Sequence, residues 1–308
     1  MKMNTVAKST HKTMNVDWVG LFKYAGLASL ILVVGTLILF FTKGLNYGVD
    51  FRGGVEIQVK FKDKVDLGTL RAYLAEKNVP VSQLQTIGED DQNEFLLKLD
   101  SDEKSDLNKV SNNVGTALTE KFGAGSFDIL KNDIVGPKAG AELRTSAFKA
   151  LMWAILAIMI YLALRFDYKF APGAIAALIH DVVLIVGAFI LTQKEFSLQI
   201  VAALLAIIGY SVNDTVVIYD RVREIEAAHP NLTTAETVNR AINETMSRTI
   251  ITSLTVLGVS VVMLIWGGSV IHDFFFAMTI GVVLGVYSTI YIAVPMTVMY
   301  EKLISKKA

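Results

Sequence analysis

Six apolar runs set the limits on what this chain can become. They occupy residues 25–41, 145–164, 171–191, 198–219, 250–266 and 274–300, each long enough to cross a bilayer as a helix. Inside hydrocarbon the backbone must satisfy its own N–H and C=O groups, which a helix does within each run. A hydrophobic content of 53% and a mean hydropathy of +0.47 fit that polytopic class. The first run follows Lys2, Lys8, His11 and Lys12. It exceeds a signal-peptide h-region, and no A-x-A-like site precedes Lys43, so it reads as an uncleaved span. Pro295, late in the last run, predicts a kink or an end there.

Between the first two runs lies a water-soluble block, residues 45–137. Residues 55–61 alternate with period two and read as a strand. Residues 66–78 place Leu67, Leu70, Leu74 and Ala75 on one helical face behind an Asp66 cap. Strands at 81–87 and 93–99, separated by the polar turn GEDDQ, predict a hairpin. A second amphipathic helix covers 102–122 through Leu107, Val110, Val114 and Leu118, and 127–135 forms a last strand. The order βαββαβ predicts a small ferredoxin-like α+β domain.

The layout is therefore an N-terminal tail and helix entry (1–24), a first span (25–42) and an α+β domain (43–140). Five further spans fill 141–300, with a loop at 220–249 and a tail at 301–308. Residues 234–246, behind Pro230 and cap candidates Thr233 and Thr234, predict a separate amphipathic surface helix.

Charge sets the orientation. Arg165 and Lys169 flank the second connection between spans; Arg221, Arg223, Arg240 and Arg248 flank the fourth; Lys302, Lys306 and Lys307 close the chain. The opposite short connections carry only Lys194. The positive-inside rule puts both termini in the cytoplasm and the α+β domain outside. Lys+Arg and Asp+Glu balance at 29 each, so nothing points to nucleic acid. With no cysteine and four scattered histidines, neither a disulfide nor a metal site is expected. Nucleophile-elbow, P-loop and zinc signatures are missing too, so neither an enzyme nor a cofactor is expected.

Ionisable residues inside the runs carry the functional signal. Asp214 lies six residues before Asp220, about 9 Å of helix rise, and so within the cytoplasmic half of its span. An aspartate in mid-membrane costs ~2.5–3.5 kcal/mol on insertion scales, so such groups face protein or water and handle ions. The alternative, a span ending near Tyr210 with Asp214 merely interfacial, conflicts with the apolar VVIY that follows. Ser211, Asn213 and Thr215 surround the carboxylate with polar atoms that suit either H⁺ or Na⁺. Arg248 opens the fifth run, either as a counter-charge in contact with Asp214 or as an anchor snorkelling to lipid phosphate. His180 and Asp181, adjacent in mid-span, point in different directions, so at most one faces Asp214. They either extend a polar relay or form a structural pair. Gly281-x-x-x-Gly285 and Gly173-x-x-x-Ala177 predict close helix packing, with Tyr287, Tyr291 and Tyr300 as packing or interface residues.

Three motifs carry a resemblance. VDFRGG includes Val49, Asp50, Phe51, Gly53 and Gly54; GYSVNDTVVIYDR (209–221) ends in Asp220 and Arg221; AINETMSRTIITS (241–253) enters the fifth run. Together they resemble the SecF branch of the SecD/SecF family over essentially the whole chain. The resemblance implies an RND-like half, six transmembrane helices with an exported domain, in the bacterial inner membrane. It implies a SecD-like partner completing a twelve-helix unit, association with SecYEG and often YajC, and an unfolded preprotein as substrate. It also implies that an H⁺ or Na⁺ gradient drives export through Asp214 and Arg248. Two other readings remain: an RND-like small-molecule or lipid transporter subunit, and a non-transporting scaffold that binds unfolded exported chains.

Overall fold

The computed structural model describes residues 15–87, 93–99, 106–166 and 169–305. The GEDDQ turn, residues 102–105, the basic N-terminal tail, Lys306 and Lys307 lie outside the described residues. A single 3₁₀ turn (Val19–Leu21) leads into α1 (Phe22–Thr42), the first span. A one-turn helix, α2 (Val49–Arg52), then opens the α/β domain. Next come β1 (Gly54–Phe61), α3 (Leu67–Glu76), β2 (Val81–Ile87), β3 (Glu94–Leu99), α4 (Leu107–Phe122) and β4 (Phe127–Val135).

The sheet runs β2-β3-β1-β4 with every neighbouring pair antiparallel. This is the split βαβ arrangement that the element order predicts. Residues of one parity, including Val55, Ile57, Val59, Phe95 and Leu97, are buried beneath α3 and α4. The other parity gives a polar face, from Glu56 and Gln58 on β1 to Lys98 on β3 and Lys131 on β4.

Both domain helices begin on aspartate caps. Asp66 accepts from Thr69 N at 2.8 Å, and Asp106 accepts from Lys109 N at 3.3 Å. The first expectation needs one correction: α3 buries Leu70, Tyr73 and Leu74, while Ala75 is exposed. The backbone and side-chain hydrogen bonds from Thr69 hold the Asp66 carboxyl below its ordinary value of 3.8. A lowered folded-state pKa contributes stability above the unfolded value and loses it as pH falls through the folded one. Asp66→Ala should therefore speed amide exchange in Leu67–Glu76 at neutral pH, and the difference should vanish in strong acid.

Five more long helices complete the membrane region. α5 (Pro137–Arg165) starts with proline at its first position, where the missing N–H costs nothing. α6 (Ala171–Thr192) ends on Gln193 in a left-handed conformation, with φ 53°. α7 (Leu198–Ala228) runs well past the apolar limit at 219. α8 (Thr234–Trp266) opens on a capping box between Thr233 and Glu236. The separate surface helix predicted at 234–246 is instead the first part of α8, because neither Gly nor Pro interrupts the chain before Gly258.

α9 (Ser269–Ser288) passes through a π turn (Thr289–Ala293) into α10 (Val294–Ser305). The irregularity predicted at Pro295 thus lies in the preceding turn, which yields to the ring and the missing donor.

The six candidate spans divide sharply by coverage. In α6, α7 and the α9–α10 span, 50–56% of the most apolar window is buried; in α1, α5 and α8 only 11–17% is. The covered set forms two apolar clusters. One surrounds Phe189, Phe196 and Leu204 near the α/β domain; the other surrounds Phe166, Phe170 and Tyr219 at the opposite end. A Cβ on Gly281 would stand 2.4 Å from Ile207, so this glycine is what lets α9 lie directly on α7.

Candidate functional site

α7 presents polar side chains on two neighbouring flanks. Tyr210 and Asp214, four residues apart, look toward α8. The Tyr210 hydroxyl donates to Ser253 Oγ at 2.9 Å, and Ser253 and Arg248 are the polar groups that act on Asp214. Asp214 is 3% exposed, and its Oδ2 has no hydrogen-bond partner. Thr249 Oγ1, one turn before Ser253, is buried and unpartnered as well. Orphaned buried polar atoms cost ~1–3 kcal/mol each, so these two are expensive features of the membrane region.

Arg248 departs from the contact reading. It is exposed on α8, and among the described residues no ion pair joins it to Asp214. The reason is helical phase. Successive residues turn 100°, and the inward position goes to Thr249. Arg248 therefore sits on the neighbouring helix without touching Asp214. Asn213 is likewise exposed, pointing away from the seam.

The second flank carries Ser211 and Thr215. Ser211 Oγ donates to Asp181 Oδ2 at 2.8 Å, and Ser288 Oγ on α9 reaches the same oxygen at 2.8 Å. Thr215 Oγ1 pairs with Thr289 Oγ1 at 2.8 Å. His180 and Asp181 do not diverge as helical phase suggests. Both are buried, with His180 Nδ1 3.2 Å from Asp181 Oδ1. The His180 ring stacks on Tyr287, whose hydroxyl donates to the Ala25 carbonyl of α1. Asp181 thus reaches the helix that bears Asp214 through Ser211. Ser288 and Thr289 had no sequence signal, because serine and threonine are ordinary in apolar helices.

Further along α7, Asp220 accepts from Arg165 at 3.4 Å and lies 3.9 Å from Arg223. Arg221 pairs with Glu224 and with Glu244 of α8. These charges fasten α7 to α5 and α8 at the end away from the α/β domain.

The VDFRGG motif fastens the other end. Asp50 Oδ2 accepts from Leu198 N at 2.8 Å, capping α7 across 148 residues of sequence. Phe196 N donates to the Asn46 carbonyl at 2.8 Å, and Gly48 N donates to the Phe196 carbonyl at 3.0 Å. Phe51 stacks on Phe196, and the Val49 carbonyl accepts from Gly53 N. Gly53 and Gly54 adopt φ 84° and 140°. A Cβ on Gly53 would stand 2.7 Å from Pro137 Cα, and one on Gly54 2.6 Å from the Leu99 carbonyl. The two glycines let β1, β3 and the start of α5 meet at one point.

A cleft of about 1100 Å³ opens between the polar sheet face and the ends of α6–α9 nearest the α/β domain. Lys98, 6% exposed, bridges it to Glu195. Lys194 pairs with Asp273 at 2.6 Å on the helix side. Burial opposes the charge on Lys131, but hydrogen bonds to Asp133 and Glu56 outweigh it and hold this amine above the ordinary lysine range. The cleft is distant from Asp214, and its charges pair with one another.

Comparison with known proteins accounts for this combination. The family model "Protein export membrane protein SecD/SecF, C-terminal" matches residues 113–303, and the "SecD/SecF GG Motif" matches residues 38–65. A protein translocase subunit SecF from Calditerrivibrio nitroreducens is 42% identical over 91% of this chain and 92% of its own length. One from Magnetococcus marinus is 38% identical over 97% and 95%. The crystal structure of SecDF, a translocon-associated membrane protein from Thermus thermophilus, superposes with a TM-score of 0.81 at 36% identity. This chain spans 39% of that chain's length, and the match covers 95% of this one. With the glycine pair, the six spans and the α/β domain all accounted for, the chain belongs to the SecD/SecF family of protein-export membrane proteins, as a SecF-type subunit.

Proposed function

We propose that this subunit couples a transmembrane ion gradient to preprotein export, with Asp214 as the group that takes up and releases the ion and Arg248 as its electrostatic counterweight. The observation that carries the reading is a buried carboxylate inside a membrane helix with one oxygen unpartnered and, on the next helix, the arginine of the matching motif. When H⁺ or Na⁺ arrives, the charge of Asp214 is cancelled and Arg248 loses its attraction. The α7–α8 seam then relaxes, and the α/β domain follows through the Asp50 cap. A SecD-like partner supplies the other half of the pathway; the thin coverage of α1, α5 and α8 supports a second chain against them. SecYEG, with YajC, receives this unit in the bacterial inner membrane. Basic residues gathered at the helix ends opposite the α/β domain support cytoplasmic termini and a periplasmic domain.

The test is export of a model preprotein from vesicles containing this chain, its SecD-like partner and the channel, under H⁺ and Na⁺ gradients imposed separately. Stimulation by one gradient and not the other supports the reading and names the ion. Export indifferent to both overturns it.

A further inference from the structure

Among the described residues of the membrane region Asp181 is, with Asp214, one of two buried carboxylates, and ion coupling through Asp214 gives it no task. It is 1% exposed, with Oδ2 bracketed by Ser211 Oγ and Ser288 Oγ, each at 2.8 Å. His180, 5% exposed, faces Oδ1 through Nδ1 and keeps Nε2 buried without a partner.

Donor arithmetic shows what the cluster can hold. A serine hydroxyl owns one hydrogen and two lone pairs. Ser288 Oγ has two acceptors in reach, Asp181 Oδ2 at 2.8 Å and the Gly285 carbonyl at 3.2 Å. With Asp181 ionised, the Ser288 hydrogen points at the carboxylate. With a proton on Oδ2, that proton is donated to Ser288 Oγ, and the Ser288 hydrogen turns to Gly285. Ser211 donates to Oδ2 in both states. One proton is gained, the carboxylate loses its charge, and no donor of the trio is stranded either way. A carboxylate kept only for packing needs one such arrangement, not two.

The backbone points to the same residues. The π turn begins immediately after Ser288, and that site sets Ser288 on Asp181 and Thr289 on Thr215. The same turn that Pro295 widens thus fixes where both hydroxyls fall.

We propose that Asp181, with Ser211 and Ser288 as hydroxyl rotors and His180 as ring partner, is a second intramembrane proton-binding site, distinct from Asp214. The titratable groups at it are His180 on its own helix and Tyr287 on α9, which stacks on His180, while Asp214 lies on the neighbouring flank of α7 and faces α8. Ser211 precedes Asp214 by three residues, about 60° round α7 and ~4.5 Å along it. Asp181 is thus joined through Ser211 to the helix that bears the coupling carboxylate, and the site's part in export rests on that reading of Asp214.

Infrared difference spectra of the full chain in lipid nanodiscs, acid minus alkaline, test the site directly. Because the chain's other Asp and Glu residues contribute to the same region, the signal is one component of the carboxylic-acid C=O band: it is expected to be present in Asp214→Asn, missing in Asp181→Asn/Asp214→Asn, and shifted in Ser288→Ala/Asp214→Asn. The Ser288 variant keeps the test open if the Asp181 variant does not fold. An Asp214→Asn spectrum with no band sensitive to Ser288→Ala overturns the proposal. If the band is present while export ignores every gradient, the reading of Asp214 fails and the Asp181 site stands.

Discussion

Asp214→Asn should insert and fold like the parent chain yet lose the whole gradient-dependent part of export. Asparagine keeps the shape of the side chain and can still accept from Ser253, so packing in the α7–α8 seam survives. What disappears is the charge cycle. An elementary charge moved through 100 mV is worth ~2.3 kcal/mol, and a residue that cannot change charge gives up that input on every turnover. Arg248 would then act on a permanently neutral neighbour, leaving the seam in its relaxed state. Export should fall to the rate seen without a gradient, measured as preprotein protected inside vesicles. An undiminished response to the gradient would remove Asp214 from the mechanism.

The second large effect lies at the other end of α7. Gly54→Val and Gly53→Ala should each destabilise the junction between the α/β domain and the membrane helices. Non-glycine residues held in such sparsely populated backbone regions cost ~1–3 kcal/mol. The new Cβ also runs into backbone, at Leu99 or Pro137, which cannot step aside. Thermal unfolding in nanodiscs checks this, with Gly26→Ala and Gly258→Ala as controls, since a Cβ there meets nothing within 4 Å. Equal melting temperatures for all four variants would deny the glycine pair a structural role.

Six spans and the βαββαβ order were legible because long apolar runs and period-two alternation are local signals. β2 and β4 match the expected bounds residue for residue. Element ends were less legible: α7 and α8 continue into polar sequence because helix propagation needs only the absence of a breaker, and polarity is not one. At the site, Asp214 stood out by the cost of a buried charge. Arg248 could be placed near it, but whether it touches depends on a rotation of one residue, which no spacing rule resolves. The Asp50 cap was invisible, since its partner lies 148 positions away and backbone N–H groups leave no mark in a sequence.

That cap also sets a mechanical ratio. Sixteen residues separate Leu198 from Asp214, ~24 Å of stiff helix, so a tilt of only ~5° pivoting at the carboxylate swings the capped end by ~2 Å. Because Asp50 grips that end and the glycine pair continues straight into β1, the displacement passes to the sheet with little slack. On the proposed coupling through Asp214, the span would be a lever arm that trades a small rearrangement around one charge for a larger stroke outside the hydrocarbon.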